Sequence, residues 1–197
     1  MTTLGQEFKS SGITATTPKN VMLGAGTIHK GLQFTDGAWN FEESLICATS
    51  GGSKLSIVPE FYDIPVDGAL VKVKGLTAKV GEKATLEINP IELGPDVLKM
   101  ALIGTEQASE TATGYNEITS KPRIEEGDYL TNMGYVGKTL EGKPIIIVFD
   151  YALCTSGLEL EGKNKEAAVP KFVFECFADL TPEADTLPYH IYYPTEA

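Results

Sequence analysis

Few residues in this chain have the type and spacing to do chemistry. There are two histidines, His29 and His190, and three cysteines, Cys47, Cys154 and Cys176. Neither histidine has a second histidine or a cysteine at ligand spacing, and no C-x-x-C occurs, so no zinc site or disulfide framework is indicated. The cysteines read as small core residues. Thr49-Ser50-Gly51-Gly52-Ser53 lacks the strand-to-helix context of a nucleophile elbow. Gly51-Gly52-Ser53-Lys54 misses the G-x-x-x-x-G-K-[ST] spacing of a phosphate loop, and a strand pattern follows where a helix is required. Gly24-Ala25-Gly26 starts like a dinucleotide fingerprint, but His29 stands at the third glycine. The adjacent carboxylates Glu42-Glu43 and Glu125-Glu126 read as solvated surface, because neighbours in a chain rarely converge on one substrate. These residues indicate no catalytic, cofactor-binding or metal-binding group, and the expectation is a protein that is not an enzyme.

Charge points the same way. The net charge is −11, and Lys171 is the last basic residue, followed by Glu175, Asp179, Glu183, Asp185 and Glu196. Tight nucleic-acid binding depends on Lys and Arg displacing counterions, so this balance argues against it. The longest apolar run, Ile145 to Phe149, is far short of the roughly 20 residues a membrane helix needs. Residues 1–17 are polar and have no signal-like apolar stretch, so synthesis and first use in a cytoplasm are expected.

The elements that would carry these residues are mostly strands. Leu55, Ile57 and Phe61 fall on one face of an alternating segment, with Lys54, Ser56 and Glu60 on the other. Leu76, Ala78 and Val80 alternate with Thr77 and Lys79. Past an expected turn at Gly81-Glu82-Lys83, Leu86 and Ile88 alternate with Thr85, Glu87 and Asn89. Residues 20–30 form a strand interrupted by Gly24 and Gly26, which suggests a bulge or a close backbone approach. Residues 129–140 resume the strand pattern and turn at Glu141-Gly142-Lys143. The all-apolar Ile145 to Phe149 then suits a strand covered on both faces. Glu161-Gly162-Lys163-Asn164 turns the chain again before Phe172, Phe174 and Cys176. One helix is expected: Pro95 at its first position, Asp96 in its first turn, Val97, Leu98, Ala101 and Leu102 as its apolar stripe, Gly104 as its stop. Residues 105–119 read as a loop. With no linker and no repeat, residues 1–197 read as one mainly β domain, an antiparallel β-sandwich or barrel with one flanking α-helix. Residues 1–17 are expected to form a flexible N-terminal arm.

Residues 20–104 resemble the tail tube, or major tail, proteins of long-tailed phages of Gram-positive bacteria. The resemblance lies in an ordered series: Gly51-Gly52-Ser53-Lys54, then Pro59-Glu60-Phe61-Tyr62-Asp63-Ile64-Pro65-Val66-Asp67-Gly68-Ala69, then Val73-Lys74-Gly75-Leu76 and Pro95-Asp96-Val97-Leu98-Lys99. The ending from Phe174-Glu175-Cys176 through Leu187-Pro188-Tyr189 is similar as well. Pro65 departs from the pattern, falling where a more regular strand would be expected. The resemblance implies a tube fold shared with the type VI secretion tube protein. It also implies hexameric rings stacked around a tape measure protein that later gives way to DNA, with tail terminator and distal tail proteins at the ends. The place of action would be the virion tail, after assembly in the host cytoplasm. A tail-like bacteriocin tube would share these features. A carbohydrate- or receptor-binding β-sandwich, using exposed aromatics such as Trp39, is the more distant alternative.

The demands of assembly add candidate contacts. Rings need sheet edges that pair across subunits, and head-to-tail contacts close when their rotation divides a full turn. Stacking needs a projection, and residues 59–75 supply one, with Asp67-Gly68 as its tip and Val71 and Val73 alternating with Lys72 and Lys74. Pro59, Phe61, Asp67, Gly68, Val71, Lys72, Val73 and Lys74 are therefore the expected inter-ring contacts. Glu87, on the polar face of its strand, is the expected lumen residue, in a bore of net negative charge through which DNA slides without binding.

Overall fold

The computed structural model describes residues 11–180 and 186–195. Residues 1–10 of the expected N-terminal arm, and the acidic residues Glu183, Asp185 and Glu196, lie outside the described residues. Within the rest of that arm, a threonine cluster of hydrogen bonds around Thr14 leads into the short helix α1 (Thr17–Asn20).

The alternating segments form antiparallel strands, and the protein is mainly β with one helix of two turns. In chain order the strands are β1 (Met22–His29), β2 (Phe34–Thr35), β3 (Ala38–Trp39), β4 (Thr49–Asp63), β5 (Thr77–Pro90), β6 (Gly104–Ala108), β7 (Asn116–Ser120), β8 (Leu130–Thr139), β9 (Pro144–Cys154), β10 (Phe172–Phe177) and β11 (Tyr189–Tyr192). The main sheet runs β1-β8-β9-β10-β5-β4, with β11 also on β9. Its end strands, β1 and β4, also come into contact with each other.

β9 shows how sequence and packing meet. Ile147 and Phe149 point into the principal core beside Ile28, Leu86, Met133, Phe172 and Phe174. Ile146 and Val148, on the opposite face, pack under Leu32, Trp39 and Phe41. The chain between β1 and β4 folds back over this second face as the β2–β3 ribbon and the helical turn α2 (Phe41–Ser44). Both faces of β9 are covered, so the run Ile145 to Phe149 has no polar alternation. Each buried Ile, Val or Phe contributes about 1.5–3 kcal/mol relative to exposure.

Helix α3 (Pro95–Leu102) starts at Pro95, with Asp96 in its first turn, and buries Val97 and Ala101 against the main core. Cys47 and Cys154 lie in that core and Cys176 packs against it, as small residues do. In β1 the register slips between Leu23 and Thr27, and both Gly24 and Gly26 have positive φ. A Cβ on Gly26 would sit 2.5 Å from the Tyr135 ring, so glycine here permits a close approach.

Several expectations are corrected. Residues 81–83 do not turn; β5 runs straight through, and the ladder only slips opposite Glu60 and Phe61. Gly81 marks that irregularity, because a Cβ there would press on the Glu60 carboxylate at 3.0 Å. Residues 105–119 are not a loop but most of the β6–β7 hairpin, in which Glu106 pairs with Ile118. Its exposed strands carry Thr, Glu and Gln with almost no apolar alternation, so the hairpin has no periodic signal. Gly104 does not stop α3. Ile103 does so in the left-handed region, at φ 51°, and Gly104 opens β6, where a Cβ would meet the Thr119 carbonyl at 2.9 Å. Residues 71–74 form no strand.

Candidate functional site

The distal end of the β4–β5 hairpin gathers many exposed apolar residues, Leu70 and Val71 foremost. Up to Ile57, opposite Ala84, the hairpin packs on the core. Beyond Pro59, opposite Glu82, both strands continue, and neither hydrophobic cluster among the described residues includes this stretch. Phe61 shares strand parity with Leu55 and Ile57 but is 63% exposed, and Val58, Tyr62 and Val80 are exposed too. The pattern of alternation continues where the core does not.

The hairpin ends in a structured loop. The Ile64 amide donates to the Leu76 carbonyl, Ala69 to Val66 and Leu76 to Val73. Gly68, at φ 82°, turns the chain beside Asp67. Lys72 reaches back to Asp63, and the Thr77 hydroxyl donates to the same carboxylate at 2.6 Å. The Lys72 ammonium, aided by Thr77, holds Asp63 below the ordinary carboxylate range. These contacts fold residues 63–77 around a small cavity of about 310 Å³ while leaving Leu70 at 99% and Val71 at 78% exposure. Pro59, Phe61, Asp67, Gly68, Val71, Lys72, Val73 and Lys74 are thereby brought into one projection: the first two on its strands, the other six in its loop. Pro65 lies just past the end of β4, so the strand stops at Asp63 and the tip is a loop, not a continued ladder.

Glu87 sits elsewhere, on β5 opposite Lys54 and Val173. Its carboxylate accepts from Lys171 at 2.7 Å, and on the same face Lys83 pairs with Glu175 at 2.8 Å. This face therefore interleaves both signs of charge. Lys79 meets Glu82, whose other oxygen accepts from the Tyr189 hydroxyl at 2.6 Å. That carboxylate partner pushes Tyr189 up to about 12.

One constellation has no sequence signal, because its members are 15 residues apart. His29 is buried, with Nε2 at 2.8 Å from the Thr27 hydroxyl and Nδ1 at 2.9 Å from Ser44. Ser44 donates to the Asn40 carbonyl at 2.7 Å, so it accepts from Nδ1–H, and Nε2 accepts from Thr27. Burial lowers the histidine's pKa, so the ring stays neutral. The serine hydroxyl is buried, and the ring's outer nitrogen meets a threonine instead of a carboxylate. This geometry ties α2 to β1 and presents nothing to a substrate. Among the described residues, no group of three or more His, Cys, Asp or Glu side chains could hold a metal ion, and no helix is long and apolar enough to cross a membrane.

No protein-family model matches the chain, and no curated protein matches it.

Proposed function

We propose that this chain is a structural subunit that assembles with copies of itself into stacked rings, as the tail tube protein of a phage. The observation that carries this reading is the uncovered hairpin end. A projection that keeps Phe61 of β4 in solvent, with Leu70 and Val71 on a loop tied by the Lys72–Asp63–Thr77 contacts, has the makings of an interface. Isolated exposed apolar residues are ordinary, but a cluster at the end of a well-paired ladder is not. A head-to-tail contact of this kind generates rings or stacks, depending on its rotation.

On this reading the partners are further copies of the chain in hexameric rings, a tape measure protein in the bore, and tail terminator and distal tail proteins at the ends. DNA passes without specific binding. Negative-stain microscopy and light scattering of the purified protein at increasing concentration test it. Rings or tubes are expected. A species that stays monomeric at every salt and protein concentration would overturn it.

A further inference from the structure

A second surface lies at the other side of the sheet, where the β2–β3 ribbon crosses β9 and β11. It contains a cavity of about 390 Å³. Three aromatic rings border it: Tyr192 stands edge-on to Trp39, with centroids 5.0 Å apart, and Phe34 tilts against Trp39 at 5.4 Å. Phe34 is 59% exposed and Tyr192 47%, although both touch the better-covered Trp39. Asp150 and His190 also line it as a pair 3.3 Å apart, with both side chains half-open to solvent and the imidazole 6.2 Å from the Tyr192 ring. Asn132 is also part of the lining and holds a left-handed backbone, φ 49°, near the start of β8. Left-handed residues inside strands are rare and carry a conformational cost, which concentrates them at sites of function.

We propose that this cavity binds a pyranose sugar. A pyranose presents apolar C–H groups on a face and hydroxyls around its rim, and each hydroxyl both donates and accepts. The cavity offers both kinds of group: the aromatic rings of Phe34, Trp39 and Tyr192, and beside them a carboxylate, an imidazole and an amide. A quaternary ammonium ion would also sit against aromatic rings. It fits less well, because the one carboxylate is already engaged by an imidazole and the remaining groups include donors that a cation cannot use. The role is independent of ring assembly, and either reading can fail alone.

Trp39 is the only tryptophan, so its fluorescence reports on this cavity directly. Methyl glycosides of glucose, galactose and N-acetylglucosamine, titrated to about 50 mM into dispersed full-length protein, are expected to give a saturable change with at least one of them, with Kd in the millimolar range. Asp150→Asn and Asn132→Gly are the variants of choice, since glycine keeps the left-handed backbone while removing the amide. Each is expected to weaken binding about tenfold with an unchanged melting temperature, the loss typical of one hydrogen bond to sugar. No response to any glycoside would overturn the proposal, as would a response that both variants leave intact. A response to tetramethylammonium chloride in place of the sugars would reassign the cavity to cations and overturn it equally.

Discussion

At the residue scale, two glycines show what local pattern can and cannot reveal. Gly24 and Gly26 are legible as a bulge, because two glycines so close together give up side-chain packing that a regular strand would use. What Gly26 makes room for is not legible, since the Tyr135 ring arrives from β8, more than 100 residues later. Gly26→Ala is expected to lose about 1–3 kcal/mol in urea unfolding, from positive φ and overpacking together. A loss under about 0.5 kcal/mol would show that Tyr135 rotates away freely. His29 makes a pH prediction. Its folded pKa lies below the ordinary 6.5, so folded and unfolded chains hold the same proton count well above that value. As pH falls below about 6.5, the unfolded chain takes up a proton that the fold refuses, and stability drops until the folded pKa is reached. His29→Gln should flatten this part of the stability–pH curve. A wild-type slope that persists in the variant would place the titration on another group.

At the element scale, the strands that face a core are readable in the sequence and those that face only water are not. β5, β9 and β10 show period-two or continuous apolar patterns because one or both faces are covered. The β6–β7 hairpin has no such pattern, and its stability comes instead from backbone pairing and from Lys99, which bridges Asp96 of α3 and Glu106 of β6. The helix is legible from its proline and its stripe, but its end is not, because nothing local announces that Ile103 takes a left-handed conformation. Phe149 tests the two-sided layer: it is almost fully buried, and Phe149→Ala should cost about 3–5 kcal/mol. A cost near 1 kcal/mol would mean that neighbouring strands collapse into the space. The arm carries the functional expectation at this scale. Replacing residues 66–70 with a short glycine turn removes Leu70 and the tip but leaves the core ladder up to Ile57 untouched. The shortened protein should fold with wild-type circular dichroism and fail to grow tubes. Normal tubes from it would move the contact to the β2–β3 side of the molecule.

At the scale of the whole molecule, electrostatics would oppose the association proposed for the apolar arm. Six copies of a chain of net charge −11 bring about −66 together in one ring. At low ionic strength the Debye length is about 30 Å, so subunits repel across their whole width; near 1 M it shrinks to about 3 Å. Hydrophobic contact through Leu70, Val71 and Phe61 is not weakened by that screening. Assembly should therefore strengthen with sodium chloride, with the critical concentration for rings or tubes falling steadily between about 0.01 M and 0.5 M. The opposite trend would mean that ion pairs between subunits, not apolar contact, hold the assembly. The same charge balance bears on the bore. Glu87 is offset locally by Lys171, as Glu175 is by Lys83, so a negative lumen cannot come from this strand face alone. In the proposed tube it would have to arise from the excess of acids over the whole chain, focused by the narrow bore. A map of an assembled tube would decide the matter. A net negative inner wall is expected, and a wall dominated by Lys72, Lys74, Lys79 and Lys83 would grip a phosphate backbone and leave DNA no free passage.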